Sequence, residues 1–364
     1  MDTKVIFNRL IIPYQYCLRF IRENMWGLCS FLFSFVVVIT FIDATISRNA
    51  AIRGIKFGIA RLTSELNEVG LDIAYDKISF NNIFIYPLVE VKNLQLYNLK
   101  GKNLWQIKIS ELDGRPGLFD IKKLKLRAGN QAEISINDTT YSTHLGSAKS
   151  IISLQSDWRI QEWQTYLQNI NIKDIAKIAD ITFVSRKLNH ANAARILTPT
   201  VESHLDARHI VFNGLINYPL ASEMQRIYAK FNLMGALDNG DTLMLAAENW
   251  LHSGGFIEIP SVLINWQPLL LVGHGDIKFD ENFSPKLQLQ TSSKAMINLL
   301  EDMQSKSYLE RKGVFVANIL LGAKAFKLHD EDKYLTVATP ITYRDNKLAI
   351  ENITVKNLTP QKQQ

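Results

Sequence analysis

The sequence predicts an α+β protein, predominantly antiparallel β, in which an N-terminal transmembrane helix and a stalk helix precede a long curved sheet with a few covering helices. Three observations predict this class: an apolar run without charges near the start, a helical stripe after it, and apolar residues that then recur with a period of two. The predicted order is an N-terminal segment 1–24, a transmembrane helix 25–42, an amphipathic helix 43–70 and a β-rich body 71–360.

The first element is a run of eighteen residues without a charge, Met25–Ile42. At 1.5 Å per residue, a helix of this length nearly spans the roughly 30 Å hydrocarbon core of a bilayer. Leu, Ile, Val and Phe each favour insertion by about 0.3–0.6 kcal/mol at a helix centre. The expected membrane anchor consists of the large apolar residues of this run, namely Trp26, Leu28, Phe31, Leu32, Phe33, Phe35, Val36, Val37, Val38, Ile39, Phe41 and Ile42.

A cleaved signal peptide is the alternative interpretation of this run. The segment before it is long for the n-region of a signal peptide, and no small-x-small cleavage site follows it closely. We therefore expect an uncleaved anchor. Basic residues flank the run on both sides, so the positive-inside rule leaves its orientation open.

The second element is a predicted helix whose apolar residues recur at spacings of three and four, as in an amphipathic helix. Its apolar stripe consists of Ile52, Ile55, Ile59, Leu62 and Leu66. Gly70 is suited to the position just past the end of such a helix. The helix either continues out of the membrane as a stalk or packs on the following sheet, and packing is the preferred interpretation.

From Leu71 onward the apolar residues alternate with polar ones, which predicts an antiparallel sheet. Turn-forming pairs such as Gly129-Asn130 separate many of the runs, and Asn81-Asn82 is predicted to form a tight turn. A subdivision near residues 190–200 is left open. After the first two strands, runs with the period of a strand cover residues 105–112, 118–127, 132–137, 166–172, 201–212, 227–234, 255–266, 269–279, 285–291 and short stretches of 334–358.

One spacing recurs four times: apolar-x-apolar-x-x-apolar-x-apolar, where x is any residue. The two residues in the middle, instead of one, shift the alternation by one position, and we call this shift a slip. A β-bulge or a short break at the slip keeps both halves on one face, so the pattern predicts a sheet that curves around an apolar groove. Chance is the alternative, because apolar pairs are common in any β protein. The candidate groove-lining residues are Val89, Val91, Leu94, Leu96, Ile121, Leu124, Leu126, Ile257, Ile259, Val262, Ile264, Ile350, Ile353 and Val355.

Helical spacing returns late in the chain. Ser293 is predicted to cap a helix that carries Leu299 and Leu300 on its apolar face, and a similar face follows over residues 316–323. Shorter helical pieces are predicted over Ser222–Arg226 and Thr242–Leu251. All of these helices would cover the sheet.

Several motifs resemble a Gram-negative family known as domain of unknown function 2125. They are Gly70–Asp76, Ala247–Gly255, Ile264–Leu269, Gly273–Asp280 and Pro340–Leu348. The resemblance implies a single-pass protein of the bacterial inner membrane with its C-terminal body in the periplasm, and it implies no catalytic residue. The architecture is more distantly similar to AsmA-like envelope proteins, whose curved sheets form grooves linked to lipid movement. The chain departs from the family pattern at Asn81-Asn82-Ile83-Phe84, where the family usually has a Gly-Phe-Pro turn.

No motif of catalytic, cofactor or metal chemistry occurs in the sequence. Cys17 and Cys29 both precede the body, which excludes disulfides and thiolate chemistry there. His204 and His209 form the only histidine cluster, and on a strand they would point to opposite faces. The net charge of +6 is diffuse, which argues against a nucleic-acid binder. We therefore expect no enzyme, no cofactor, no metal site and no nucleic-acid partner.

One basic run, Lys122–Arg127, would place Lys123, Lys125 and Arg127 on the same face of a strand. That face either attracts anionic lipid head groups or is the soluble outer face of a half-buried strand, and the latter is preferred.

Two functions remain from the sequence. The protein either binds or moves phospholipid or another amphiphile along an apolar groove of its curved sheet, or it is a structural or adaptor protein of the cell envelope with a filled core and no ligand. Its partners would be the lipid bilayer and other envelope proteins.

Overall fold

The computed structural model of the protein describes most of the predicted β-rich body. The described residues are 63–64, 66–67, 70–83, 86–98, 104–116, 122–136, 139–155, 160–188, 198–213, 220–236, 243–281, 283–305, 319, 321–326, 335–344, 347–350 and 353–354. The predicted membrane anchor lies outside these ranges, as do Ile121 and Val355 of the candidate groove. Within the ranges, no helix combines the length and the apolar character needed to cross a bilayer.

Eighteen strands form a single sheet in which all pairings are antiparallel. They are β1 Leu71–Ala74, β2 Lys77–Ile83, β3 Tyr86–Asn98, β4 Trp105–Pro116, β5 Lys123–Ala128, β6 Gln131–Ile136, β7 Thr139–Leu154, β8 Ile160–Ile172, β9 Ala176–Lys187, β10 Pro199–Phe212, β11 Glu223–Met234, β12 Phe256–Trp266, β13 Leu269–Phe279, β14 Pro285–Lys294, β15 Ala325–Phe326, β16 Thr336–Arg344, β17 Lys347–Ile350 and β18 Ile353–Thr354. Among the described residues, the helices α1 Leu243–His252 and α2 Met296–Ser305 interrupt this order of strands.

The strands cross the sheet nearly in chain order. From β7 to β14 each strand pairs with the next one along the chain, and β14 then pairs with β16. At three places two short strands share a row beside a longer one: β1 and β2 beside β3, β5 and β6 between β4 and β7, and β15 and β17 beside β16. The sheet is therefore a long meander, and β9 and β10, which flank residues 190–200, pair along their length.

The predicted β class is confirmed, but the sequence missed two long strands and misassigned three local features. β7 and β9 were not predicted. Ser222–Arg226 was predicted to be helical, whereas β11 begins at Glu223, because alternation buries Met224 beside Ile210 of β10.

The predicted tight turn at Asn81-Asn82 is also wrong. Both residues belong to β2 and pair with β3, and the pairing continues to Ile83 and Tyr86, so the hairpin connection lies three residues later. Ser293 does not cap a helix either. It belongs to β14, and its Oγ donates to the carbonyl oxygen of Val337 at 3.5 Å.

The end of the predicted amphipathic helix falls within the described residues. Leu66 is only 1 % exposed, which agrees with packing rather than with a free stalk. Gly70 has φ 81°, and its N–H donates to the carbonyl oxygen of Asn67 at 3.1 Å. A residue with positive φ at this place is typical of a helix C-terminus, where glycine is favoured because it lacks a Cβ.

The predicted slips of alternation take three physical forms in the sheet. In β12 one extra residue lies between Ile259, which pairs with Gly275, and Val262, which pairs with Gly273, and this is a β-bulge. In β3 the slip falls on Asn93, which has φ 51°. The fourth predicted pattern splits into β17 and β18, whose residues Ile350 and Ile353 pair with each other.

The slip in β3 is one of several slips in the alternation that fall at corresponding register positions in other strands of the sheet. Asn169 of β8 and His209 of β10 also have φ 50°. We call this set of positions the seam. At the seam Gly146 of β7 lies against β8, where an added Cβ would be 2.7 Å from the Cβ of Asn169. Because each strand skips a residue here, the side chains on both sides of the seam return to the same face.

Substitution at Asn169 tests the seam. We expect Asn169→Val to lower the free energy of unfolding by about 1–3 kcal/mol, because a β-branched residue is strained at positive φ, and Asn169→Gly to leave it unchanged or raise it. Chemical denaturation of the detergent-solubilised full chain measures both. The matched control is Asn171→Val, an exposed position on the same strand. Equal effects at the two positions would contradict the assignment.

Candidate functional site

One face of the sheet carries an unbroken apolar row. Residues paired across an antiparallel sheet share a face, so the register can be followed from strand to strand. The central apolar row runs from Val91 in β3 through Leu112, Ala128, Ala148, Leu167, Ile181, Ala207, Ile227, Ile264, Leu271 and Ser293 to Val337 in β16. Apart from Ser293, every side chain in this row is aliphatic.

The rest of this face, which we call the apolar face, is also nearly free of charge. Within the described residues, Lys187 at the end of β9 is the only charged residue that the register assigns to it. Covering such a face with another apolar surface is favourable by about 25 cal/mol per Å² of buried apolar area.

The register places on the apolar face the candidate residues of the first three patterns whose side chains the structure describes. Val89, Val91, Leu94 and Leu96 reach the residues of β5 and β6 through their β4 partners. Ile257, Ile259, Val262 and Ile264 join the same face through β11 and β13. The remaining two are Leu124 and Leu126.

The sequence prediction missed the same spacing in two further strands, β9 and β4. In β9 it reads Ala176, Ile178, slip, Ile181 and Phe183, and in β4 it reads Ile107, Ile109, slip, Leu112 and Gly114. The signal was therefore present in the sequence. The small or polar residues at single positions obscured it, because they weaken the contrast between the two faces.

Helix α1 covers one end of the apolar face. Its Trp250 is 3 % exposed and packs with Val201, Leu233 and Phe279, while its Nε1–H donates to the carbonyl oxygen of Met234 at 2.7 Å. The indole N–H thus has a hydrogen-bond partner, and the ring packs over the ends of strands β10 to β13.

Helix α2 covers the opposite end of the same strands. Leu299 is buried together with Ile210, Met224 and Trp266. The Trp266 ring stacks on Phe212 with 5.1 Å between centroids, and its Nε1–H donates to the carbonyl oxygen of Ala221 at 2.6 Å. Trp250 and Trp266 therefore anchor helices α1 and α2 at the two ends of β10–β13.

Farther along the sheet, the buried clusters consist of strand side chains alone among the described residues. One cluster centres on Leu145, Ala148 and Ile170, and another on Trp163 and Phe183. Most other aliphatic residues on this part of the face, from β3 to β8, are half-buried. This part of the apolar face is the candidate functional site.

Hydroxyl groups form two pairs on the apolar face. The Oγ of Ser150 and the Oγ1 of Thr165 lie 2.6 Å apart, and the Oγ of Ser203 donates to the Oγ of Ser185 at 2.9 Å. Because each hydroxyl has a partner on the neighbouring strand, these residues add little polarity to the surface.

The opposite face is polar and rich in ion pairs. Its most buried charge is Asp206, which is 8 % exposed and accepts hydrogen bonds from Arg226 Nε at 2.8 Å and Arg208 Nη2 at 2.6 Å. Burial alone would raise the pKa of Asp206, but the hydrogen bonds and charges of the two arginines outweigh it, so its pKa lies below the ordinary value. Arg226 also lies over the Tyr228 ring, 5.1 Å from its centroid.

A polar cleft of about 600 Å³ opens on this face at the seam. Its lining includes Lys92, Asn93, Glu111, Asp113 and Arg127. The two histidines of the predicted cluster lie apart: His204 lies 6.4 Å from the Tyr228 ring, centroid to centroid, and His209 Nδ1 lies 2.8 Å from Glu223 Oε1. In the described ranges, no group of three or more His, Cys, Asp or Glu residues could hold a metal ion.

Comparison of the chain with protein-family models, with curated proteins and with solved structures finds no match. The resemblance to the family of domain 2125 therefore stays a prediction.

Substitution of Asp206 tests the buried ion pairs. We expect Asp206→Asn to lower the free energy of unfolding by about 2 kcal/mol at pH 7, less than for a fully buried pair because both arginines are partly exposed. A carboxylate with a lowered folded-state pKa stabilises above its ordinary value of 3.8, and this contribution is lost as the pH falls through the folded-state pKa. The difference between wild type and variant should therefore shrink below pH 3.8.

The control for this experiment is Glu202→Gln. Glu202 pairs with Lys230 at 2.7 Å on the same face, but both side chains are substantially exposed, so we expect a loss below about 1 kcal/mol. Denaturant titrations at several pH values measure both variants. A pH-independent loss for Asp206→Asn would show that the carboxylate charge is not its source.

Proposed function

We propose that this protein is a membrane-anchored envelope protein that binds lipid acyl chains along the apolar face of a curved sheet. The observation that carries the proposal is the apolar face itself, with Lys187 as its only charged residue in the described part of the chain. The predicted membrane run and the resemblance to inner-membrane proteins supply the proposed location, with the body in the periplasm.

The dimensions of the candidate site suit an acyl chain. Because β5 and β6 share one row, four strand spacings of about 4.8 Å separate β3 from β8, which gives a row of roughly 19 Å. The roughly 30 Å hydrocarbon core holds two acyl chains end to end, so one chain needs about 15 Å. Each buried methylene contributes about 0.8 kcal/mol, and contact along several strands would offset the cost of binding.

The seam supports the proposed curvature. Bulges and residues with positive φ bend a strand and increase its local twist, and here residues with positive φ occur at corresponding register positions in β3, β8 and β10. Such an alignment bends a sheet as a whole, so that its apolar face becomes the inside of a trough. The covers α1 and α2 would then close the trough over β10–β13 and leave the β3–β8 part for the ligand.

The competing function is that of a structural or adaptor protein of the envelope whose apolar face is filled by its own chain. The packing of Trp250 and Leu299 on β10–β13 favours such filling in that part of the sheet. The two functions differ in whether a lipid reaches the β3–β8 part.

Site-specific photocrosslinking in cells distinguishes the two functions. A photoreactive amino acid at Ile134 or Leu167 lies on the apolar face, whereas at the neighbouring residues Glu133 or Gln168 it lies on the polar face of the same strand. We expect phospholipid adducts of the full-length protein at the first pair, identified by mass spectrometry. The second pair is the matched control.

Absence of lipid adducts at Ile134 and Leu167, or equal adducts on both faces, would contradict lipid binding along the apolar face. Crosslinks from Ile134 or Leu167 to the protein's own chain would support the filled core.

A further inference from the structure

The polar face usually places a basic residue beside an acidic one. Lys108 lies 3.5 Å from Glu133, and Lys230 lies 2.7 Å from Glu202. Arg208 and Arg226 share Asp206. Cross-strand pairs of opposite charge stabilise a sheet, and like charges directly opposite each other destabilise it.

The region of the polar face around β5 departs from this pattern. It consists of Arg115, Lys123, Lys125, Arg127 and Lys149, which we call the β5 basic patch. The register sets Arg115 opposite Lys125 and Arg127 opposite Lys149, and all five side chains are exposed.

The register sets few acidic residues of the described part of the chain against the β5 basic patch. Asp113, opposite Arg127, is the one acidic residue that the register sets directly against it among the described residues. Arg115, Lys125, Arg127 and Lys149 form no ion pair within the described part of the chain. Their mutual repulsion is therefore uncompensated unless an external anion lies against them.

We propose that the β5 basic patch docks on the anionic head groups of a phospholipid bilayer. Its cations extend over three adjacent rows of one sheet face, so they present a broad surface rather than a pocket for a single anion. Clustered basic residues at an anionic membrane are attracted within about a Debye length of the surface.

Two neighbours on the same face fit this partner. Tyr166, opposite Lys149, is 37 % exposed, and tyrosine is enriched at membrane interfaces. Ile151, opposite Lys125, adds an apolar side chain between the cations. The inference takes only the membrane location from the proposed function, and it does not depend on lipid binding to the apolar face.

Lysine footprinting of the full-length protein in nanodiscs tests the inference. Lys125 and Lys149 are acylated with an amine-reactive reagent in discs of phosphatidylcholine alone and in discs with phosphatidylglycerol, and the rates are measured by mass spectrometry. We expect acylation about five-fold slower in the anionic discs, with the difference removed by 0.5 M salt because a Debye length of about 4 Å screens the contact. Lys108 and Lys230, on the same face but ion-paired, should react equally in both discs.

A double variant identifies the charges responsible. In Lys125→Gln with Arg127→Gln, Lys149 remains as the reporter, and its protection by anionic discs should be largely lost. The matched control, Lys108→Gln with Lys230→Gln, removes the same charge from paired positions and should keep that protection. The patch variant should unfold at the same temperature as wild type or higher, because it relieves repulsion between facing cations.

Equal acylation of Lys125 and Lys149 in the two kinds of disc would overturn the proposal. Protection by added inorganic polyphosphate in neutral discs, without protection by anionic discs, would also overturn it and assign the patch to a soluble polyanion. Since the readout comes from the polar face, a failure here leaves the crosslinking result for Ile134 and Leu167 unaffected.

Discussion

Cross-strand partners in an antiparallel sheet share a face, so a slip of one residue in any strand would bring its polar side chains into the row that runs from Val91 to Val337. The seam prevents this error at the places where the alternation itself slips. Asn93, Asn169 and His209 accept left-handed backbone geometry there, and asparagine and histidine are among the residues that tolerate it best. The backbone strain at these positions is thus compensated by an apolar face that stays continuous over the described sheet.

The same register determines the electrostatics of the opposite face. Where acids and bases alternate across strands, as around Asp206, the partners satisfy one another and the face is stable by itself. Around β5 the facing residues are cations, and their repulsion favours an external anion. The two faces therefore differ in the partners that we propose for them: acyl chains for the apolar face and anionic head groups for the β5 basic patch.

Each of the two helices is fixed to the sheet by a tryptophan whose indole N–H donates a hydrogen bond. Trp250 belongs to α1 itself, whereas Trp266 of β12 packs with Leu299 of α2. Trp250 lies so close to Gly255 that an added Cβ would come within 2.3 Å of its Nε1, which requires glycine at that position. Such tight packing over β10–β13 contrasts with the half-buried aliphatic residues of β3–β8. For β3–β8, a lipid-binding trough and a core filled by the protein's own chain are therefore alternatives, whereas β10–β13 is covered by the helices. The crosslinking positions lie in β6 and β8 for this reason.

The sequence alone determined the β class, the antiparallel character of the sheet and the spacing that keeps apolar residues on one face. It could do so because a period of two and its slips are local properties of a strand. It did not determine β7 and β9, where Thr, Ser and Ala residues blur the contrast between faces, nor β11, where burial of Met224 beside Ile210 overrides a local helical pattern. Only the tertiary structure decided which cations meet on β4, β5 and β7, since Arg115 and Lys149 are distant in sequence and become neighbours of Lys125 and Arg127 through register. Pairing between strands depends on the whole meander, and no single segment encodes it.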